Sequence, residues 1–245
     1  MQSRGIFTAS RIGDLLASGT GKTRLNYIFE IAEANVGAKK SVSTKAMMHG
    51  IVNEVTAVQI LCSIHGGAPN FADEKQAFYY VNDRLGATPD AIGLDWVGDA
   101  KCQFEILNFF EQNERLPKKY YLQVQTQMMA LKCDKGYLIN YLTKPEEWGE
   151  DEWTEYPFPL EDRYFIHEIH KDEEQQYNIL KAVEDNFHLI GLATEMLLNA
   201  KEVDDYEFFM TQYKDRIKYQ KLKDTNWERN EKEVIRYKNN FYTIK

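Results

Sequence analysis

Hydrophobic positions recur along this chain with two periods, and the change from one to the other lays out its elements. Near the start, Ile12, Leu15 and Leu16 share a face at helical spacing over residues 8 to 17, with Thr8 or Ser10 as the capping residue. A second helix is expected around Asn26 to Ala34. A third spans residues 45 to 63, where Met48, Ile51, Val55 and Val58 repeat at core spacing and Glu54 stands on the margin of the stripe. Period two then takes over: Phe78-Tyr79-Tyr80-Val81 reads as a strand, and the runs on either side of Gly93-Leu94-Asp95 read as a hairpin. Helical spacing returns over residues 118 to 133. Tyr121, Val124, Met128 and Leu131 form its buried face, Tyr120, Gln123 and Gln127 lie on a solvated one, and Gln125 falls between. Gly136 to Tyr141 and Arg163 to Ile169 alternate as further strands. Residues 145 to 159 are acidic and rich in turn formers, so they read as an excursion from the core. Charged helices follow, roughly over 172 to 200, 204 to 222 and 227 to 240, with aromatic residues such as Tyr206, Phe209 and Trp227 suited to a packed face.

The hairpin carries the chemistry. It places Asp90 and Asp99 on neighbouring strands, and the two-residue step from Asp99 to Lys101 points both side chains to one face of the sheet. Two converging carboxylates suit a hard Mg2+ or Mn2+ ion, which takes oxygen ligands and leaves room for phosphate and water. A lysine beside them favours deprotonation of the attacking water and stabilises charge on phosphoryl oxygens. Glu54, on the edge of a buried helix face, is costly there unless paired or metal-bound, which makes it a candidate further ligand. His49 and His65 read as structural.

Composition narrows the setting. The chain has 245 residues, 43% of them hydrophobic, enough for one sizeable domain with an appendage. No apolar run approaches the roughly 18 residues that would span a bilayer, and the N-terminus lacks a signal-peptide pattern, so a cytoplasmic protein is expected. Three widely spaced cysteines, Cys62, Cys102 and Cys133, favour neither a disulfide framework nor a zinc site. A net charge of −8 argues against a protein that coats nucleic acid without specificity. The charge is uneven, however: residues 1 to 145 carry 16 Lys and Arg against 14 Asp and Glu, and the remainder carry 14 against 24. Any surface that faces a polyanion therefore belongs in the N-terminal two-thirds. Gly21-Lys22-Thr23 is no phosphate-binding P-loop, because Leu16 stands where its first glycine is required. It reads as a basic loop, with Lys22 and Arg24 available to a DNA backbone.

Four motifs in order carry a resemblance. Thr8-Ala9-Ser10, Gly50-x-x-x-Glu54-x-x-Ala57, the Asp90/Asp99/Lys101 hairpin and Tyr120-Tyr121-Leu122-Gln123-Val124-Gln125 together resemble the lambda-exonuclease or YqaJ-like viral recombinase family of the PD-(D/E)xK nuclease superfamily, over about residues 3 to 145. The resemblance implies an α/β (α+β) fold with a restriction-endonuclease-like core, a mixed central sheet flanked by helices. The nuclease domain would occupy residues 1 to 200 and a helical C-terminal extension residues 201 to 245. It implies that Asp90, Asp99, Glu54 and the backbone carbonyl of Ala100 hold Mg2+ (or Mn2+), that Lys101 assists the water, and that a glutamine of the fourth motif, taken as Gln125, lies near the site. It further implies a 5′-phosphate and DNA contact set of Ser10, Arg11, Arg4, Thr88 and Lys22. The implied activity is a 5′→3′ exonuclease acting on double-stranded DNA ends in a bacterial cell, phage or prophage encoded. The implied partners are a single-strand annealing protein and further copies of the chain in a ring, a trimer. Here Asp99 fills a slot often held by glutamate, Gln103 one often held by proline, and Ser3 one usually held by arginine. Two other readings share the same residues: an endonuclease or RecB-like nuclease, and a DNA-binding protein without catalysis.

Overall fold

The protein is described from a computed structural model covering residues 5–17, 22–37, 44–72, 75–143, 158–198 and 210–211. β1 (Phe7–Thr8) passes through a 3-10 turn (Ala9–Arg11) into α1 (Ile12–Leu15), followed by α2 (Lys22–Asn35) and α3 (Lys45–His65). Five short strands come next: β2 (Ala68–Pro69), β3 (Phe71–Ala72), β4 (Lys75–Gln76), β5 (Tyr79–Asn82) and β6 (Leu85–Ala87). The hairpin is β7 (Ala91–Ile92) and β8 (Trp96–Gln103), succeeded by α4 (Ile106–Glu114), α5 (Lys118–Leu131), β9 (Lys135–Leu142), β10 (Tyr164–His170) and α6 (Glu173–Leu198).

The main sheet has the order β10-β9-β8-β7-β2 and is mixed: β8 and β9 run parallel, and every other pair is antiparallel. Parallel neighbours cannot be joined by a tight turn, so α4 and α5 form the connection between β8 and β9. Covered on both faces, β9 is buried from Gly136 to Leu142. On one face α3 lays Ala57, Val58 and Leu61 against Trp96, Ala100, Tyr137 and Ile139. On the other, α5 sets Val124 and Met128 against Val97, Leu138 and Ile169. Because side chains alternate along a strand, Asp99 and Lys101 share the α5 face with Val97. Gly98 allows α3 its close approach, since a Cβ there would lie 2.5 Å from Leu61 Cδ2.

A second sheet, β1-β6-β5, joins α1, α2, α5 and α6 around Phe7, Ile12, Leu15, Ile28, Leu85, Leu122, Ile179 and Leu189. Strands β3 and β4 form a separate two-stranded ribbon. The helix α5 thus serves two cores at once, through Leu122 in this one and Val124 and Met128 in the other.

Three local expectations change. The first helix shortens to a 3-10 turn plus one α-turn, although Ile12 and Leu15 are buried as expected. The apolar stripe of α3 faces outward over much of its length: Ile51 is 60% and Val55 43% exposed, whereas Val58 and Leu61 are fully buried. The sheet is met through Ala57, Val58 and Leu61, a face rotated from the one that spacing suggested. Arg24 is a buried residue of α2, not a loop contact for DNA: its Nε donates to the Leu15 carbonyl at 2.8 Å and its Nη2 to that of Ala17 at 2.9 Å. This satisfies carbonyls at the end of α1 that have no helical partner. Cys62, Cys102 and Cys133 are free and half-buried. Among the described residues no helix is long and apolar enough to cross a membrane. Residues 145 to 157, and the two terminal helices expected beyond residue 203 except for helical Met210 and Thr211, lie outside the described residues.

Candidate active site

The hairpin assembles its charged residues through backbone pairing. The Asp90 amide donates to the Gly98 carbonyl at 2.9 Å, which sets the end of β7 beside the middle of β8. From there Asp90 Oδ2 accepts from the Ala100 amide at 2.8 Å. Lys101 Nζ donates to Asp99 Oδ2, the same-face contact that a two-residue step along a strand predicts. Asp90 and Asp99 are both buried, Asp99 to within 1% of full burial.

Three glutamines complete the cluster, and sequence reasoning passed over all of them. Gln123 Nε2 donates to Asp99 Oδ1 at 2.5 Å, and Gln127 Nε2 donates to the same oxygen at 2.8 Å. Both sit on the face of α5 that was read as solvated; both are buried, because that face lies on the sheet at Asp99. Their spacing of four, which stacks them on one face of a helix, was the signal that could have found them. Gln76 Nε2, from β4, donates both to Glu54 Oε1 at 2.9 Å and to Asp90 Oδ1 at 3.1 Å. Nothing in its sequence neighbourhood marks it.

Glu54 therefore joins the cluster through the Gln76 amide. Gln125 does not join it. Its Nε2 donates to the His170 carbonyl at 2.7 Å, and its Oε1 accepts from the Asp172 amide and from Gln176 Nε2, each at 3.1 Å. These bonds tie α5 to the turn between β10 and α6, away from Asp99. Thr88 borders the cluster, its carbonyl 3.5 Å from Gln127 Nε2. Ser10 is exposed on the 3-10 turn, 3.5 Å from the Thr8 hydroxyl. Arg11 is engaged by Asp14 and by Glu30, at 2.6 Å, and lies over the Tyr27 ring. Lys22 is exposed at the start of α2, and Arg4 lies outside the described residues.

Charge in the cluster is unbalanced: Glu54, Asp90 and Asp99 face one lysine. Burial, then the charge of Asp99, outweigh the pull of Lys101, and with Glu54 also adding they hold the Asp90 carboxyl well above its ordinary range. Burial works against charge on Lys101, yet Asp99 and Asp90 more than offset it, and its ammonium is held above its usual value. Burial, then Glu54, push the neighbouring Cys102 thiol up to about 12, so it is unreactive at neutral pH.

This donor set fits a hard divalent cation. Oxygen donors and excess negative charge are what Mg2+ and Mn2+ require. Gln127 adds a second sign: its amide N–H is committed to Asp99, which leaves its buried Oε1 without a donor. Such an orphaned acceptor would gain a donor from ordered water of the kind Mg2+ retains. Among the described residues no three His, Cys, Asp or Glu side chains already converge in coordination geometry, because Gln76 stands between Glu54 and Asp90.

A mixed sheet between helices, with two carboxylates on a hairpin and a lysine two residues beyond the second, defines the PD-(D/E)xK class of α/β fold. The chain belongs to the YqaJ-like viral recombinase domain family, whose model matches residues 1–134. Solved structures of similar fold include the alkaline exonuclease LHK-Exo from Laribacter hongkongensis, 20% identical with a TM-score of 0.59 over 91% of this chain and 95% of that one. LHK-Exo has the same likeness in its complex with dAMP. A phage-related exonuclease from Haemophilus somnus 129PT is 16% identical with a TM-score of 0.63, over 80% of this chain and 96% of that one. Among curated protein sequences none matches the chain significantly.

Proposed function

We propose that this protein is a Mg2+-dependent exonuclease that degrades one strand of linear double-stranded DNA from its 5′ end and leaves a 3′ single strand for recombination. The observation that carries this reading is the buried Asp90–Asp99 pair, whose negative charge Lys101 balances only in part. Membership of a viral recombinase family and likeness in fold to two exonucleases support it.

Asp90, Asp99 and the Ala100 carbonyl would hold Mg2+ (or Mn2+), with Glu54 recruited once Gln76 yields. Bound there, the ion would supply Lewis-acid polarisation of a phosphoryl oxygen and a lowered pKa for the attacking water. The protein's own groups position and neutralise. Lys101 commits one N–H to Asp99 Oδ2 and has two left for the water and for charge growing on the phosphoryl oxygens. Gln123 and Gln127 fix Asp99 Oδ1 from the other side and so set the angle of the carboxylate. Ser10, Thr88, Arg11, Arg4 and Lys22 are the groups on the reading's DNA and 5′-phosphate side. A single-strand annealing protein and a ring of three copies of this chain are its partners.

The test is Mg2+-dependent nucleotide release from linear duplexes labelled on one strand, with 5′-phosphate or 5′-hydroxyl ends and beside closed circles, for the unsubstituted protein and Lys101→Ala. Loss of the 5′-ended strand from linear DNA alone, abolished in Lys101→Ala while DNA binding persists, is the expected result. Cutting of closed circles would replace the reading with an endonuclease. Inactivity with both Mg2+ and Mn2+ would leave a DNA-binding protein without catalysis.

A further inference from the structure

The first turn of α5 puts a second lysine beside the site. The Tyr120 ring has Lys101 Nζ 5.2 Å from its centroid and Lys119 Nζ 4.7 Å from it. The two ammonium groups are thus separated by no more than the sum of those distances. Lys101 is balanced by Asp99 and Asp90. Lys119 is exposed, and among the described residues no carboxylate lies within ion-pair distance of it. In a chain of net charge −8, a cation held near another cation with no acidic partner is the arrangement an external anion completes.

Packing fixes where that ammonium is rooted. Gly13 of α1 crosses the backbone of α5 at Lys119, where a Cβ on Gly13 would come within 2.9 Å of Lys119 Cβ and 3.2 Å of its Cα. α1 follows directly on the turn that bears Ser10, so Lys119 is rooted against the helix that continues that turn. One strand of duplex DNA rises about 3.4 Å along the helix axis per phosphate, so the Lys101–Lys119 separation corresponds to no more than about three phosphates along the axis.

We propose that Lys119 is a contact for a backbone phosphate of the DNA strand entering the site, within about three phosphates of the one at Lys101. The proposal rests on the nuclease reading above and assigns a further part of its DNA-binding surface. Both cations lie against the Tyr120 ring.

Binding of a 5′-phosphorylated blunt duplex, followed by fluorescence anisotropy in EDTA so that no cleavage occurs, tests it across a series of KCl concentrations. Losing one phosphate contact lowers the slope of log affinity against log salt by about 0.9, so the advantage of the unsubstituted protein over Lys119→Gln shrinks about 3.5-fold between 50 and 200 mM. Lys119→Arg is expected to keep both slope and affinity. An unchanged slope and affinity in Lys119→Gln would overturn this assignment alone. Failure of the unsubstituted protein to bind duplex DNA would overturn it together with the nuclease reading.

Discussion

Replacing Gln127 by methionine separates what the buried amides do for stability from what they do for activity. The substitution nearly conserves volume and removes the 2.8 Å hydrogen bond to Asp99 Oδ1. A hydrogen bond to a buried carboxylate is worth about 1.5–3 kcal/mol, and the 3.5 Å contact to the Thr88 carbonyl adds little. The same change removes the orphaned Gln127 Oε1, a buried acceptor whose lack of a donor costs about 1–3 kcal/mol. The two terms oppose each other and are of similar size, so Gln127→Met is expected to shift unfolding free energy by only about 1 kcal/mol. Gln123→Met also removes a bond to Asp99 Oδ1, at 2.5 Å, but relieves no orphaned atom, so the full loss of about 1.5–3 kcal/mol is expected. Activity should not follow that order: each amide holds the carboxylate that the proposed function assigns to the metal, and loss of either is expected to lower turnover or Mg2+ affinity by about 10- to 100-fold. Urea denaturation in EDTA and initial rates on linear duplex across a Mg2+ titration measure both sides. If Gln127→Met proves the more destabilising, or if either variant keeps activity within twofold, the account of Asp99 as a clamped ligand is wrong.

Two further outcomes follow from burial and charge. The folded protein holds a proton on Asp90 at pH values where the unfolded chain, near its ordinary 3.8, has released it. In EDTA this contribution to stability is therefore complete below about 3.8 and lost as pH rises through the raised folded value. Asp90→Asn should flatten that decline in the urea midpoint and be the more stable protein at neutral pH, while losing activity; parallel pH curves for the two proteins would refute it. On α3, Leu61→Ala should cost about 2–5 kcal/mol and Ile51→Gln no more than about 0.5, and equal losses in thermal unfolding would show that the outward turn of the stripe is mistaken.

The central element was legible in the sequence because its geometry is local. Strand alternation alone puts Asp99 and Lys101 on one side, and a short turn alone brings Asp90 beside β8; neither depends on what packs over them. Strand β5, the β7–β8 hairpin, helix α5 and strands β9 and β10 were readable for the same reason, since period two and period 3.6 are properties of the chain itself, whereas β6 and α4 were not read. Membership of the family rested on motifs of that kind.

Tertiary structure decided which face of each helix is inside. A periodic stripe records that a helix has sides, but the partner that buries a side comes from far along the chain: Gln127 meets Asp99 28 residues away, and Gln76 reaches Glu54 across 22. On α5, which packs into two cores, the apolar pattern could not separate the glutamines on the sheet from the one tied to the β10–α6 turn. Gln123 and Gln127 were read as solvated and Gln125 as the site's glutamine, and the fold reverses their positions. Arg24 was read as open to DNA for the same reason, because the carbonyls that claim it at the end of α1 become its neighbours only when α2 folds back. The sequence by itself determined the carboxylates and the lysine; that the Gln123 and Gln127 face of α5 lies on Asp99, and which surface surrounds the cluster, was settled by contacts far apart in the chain.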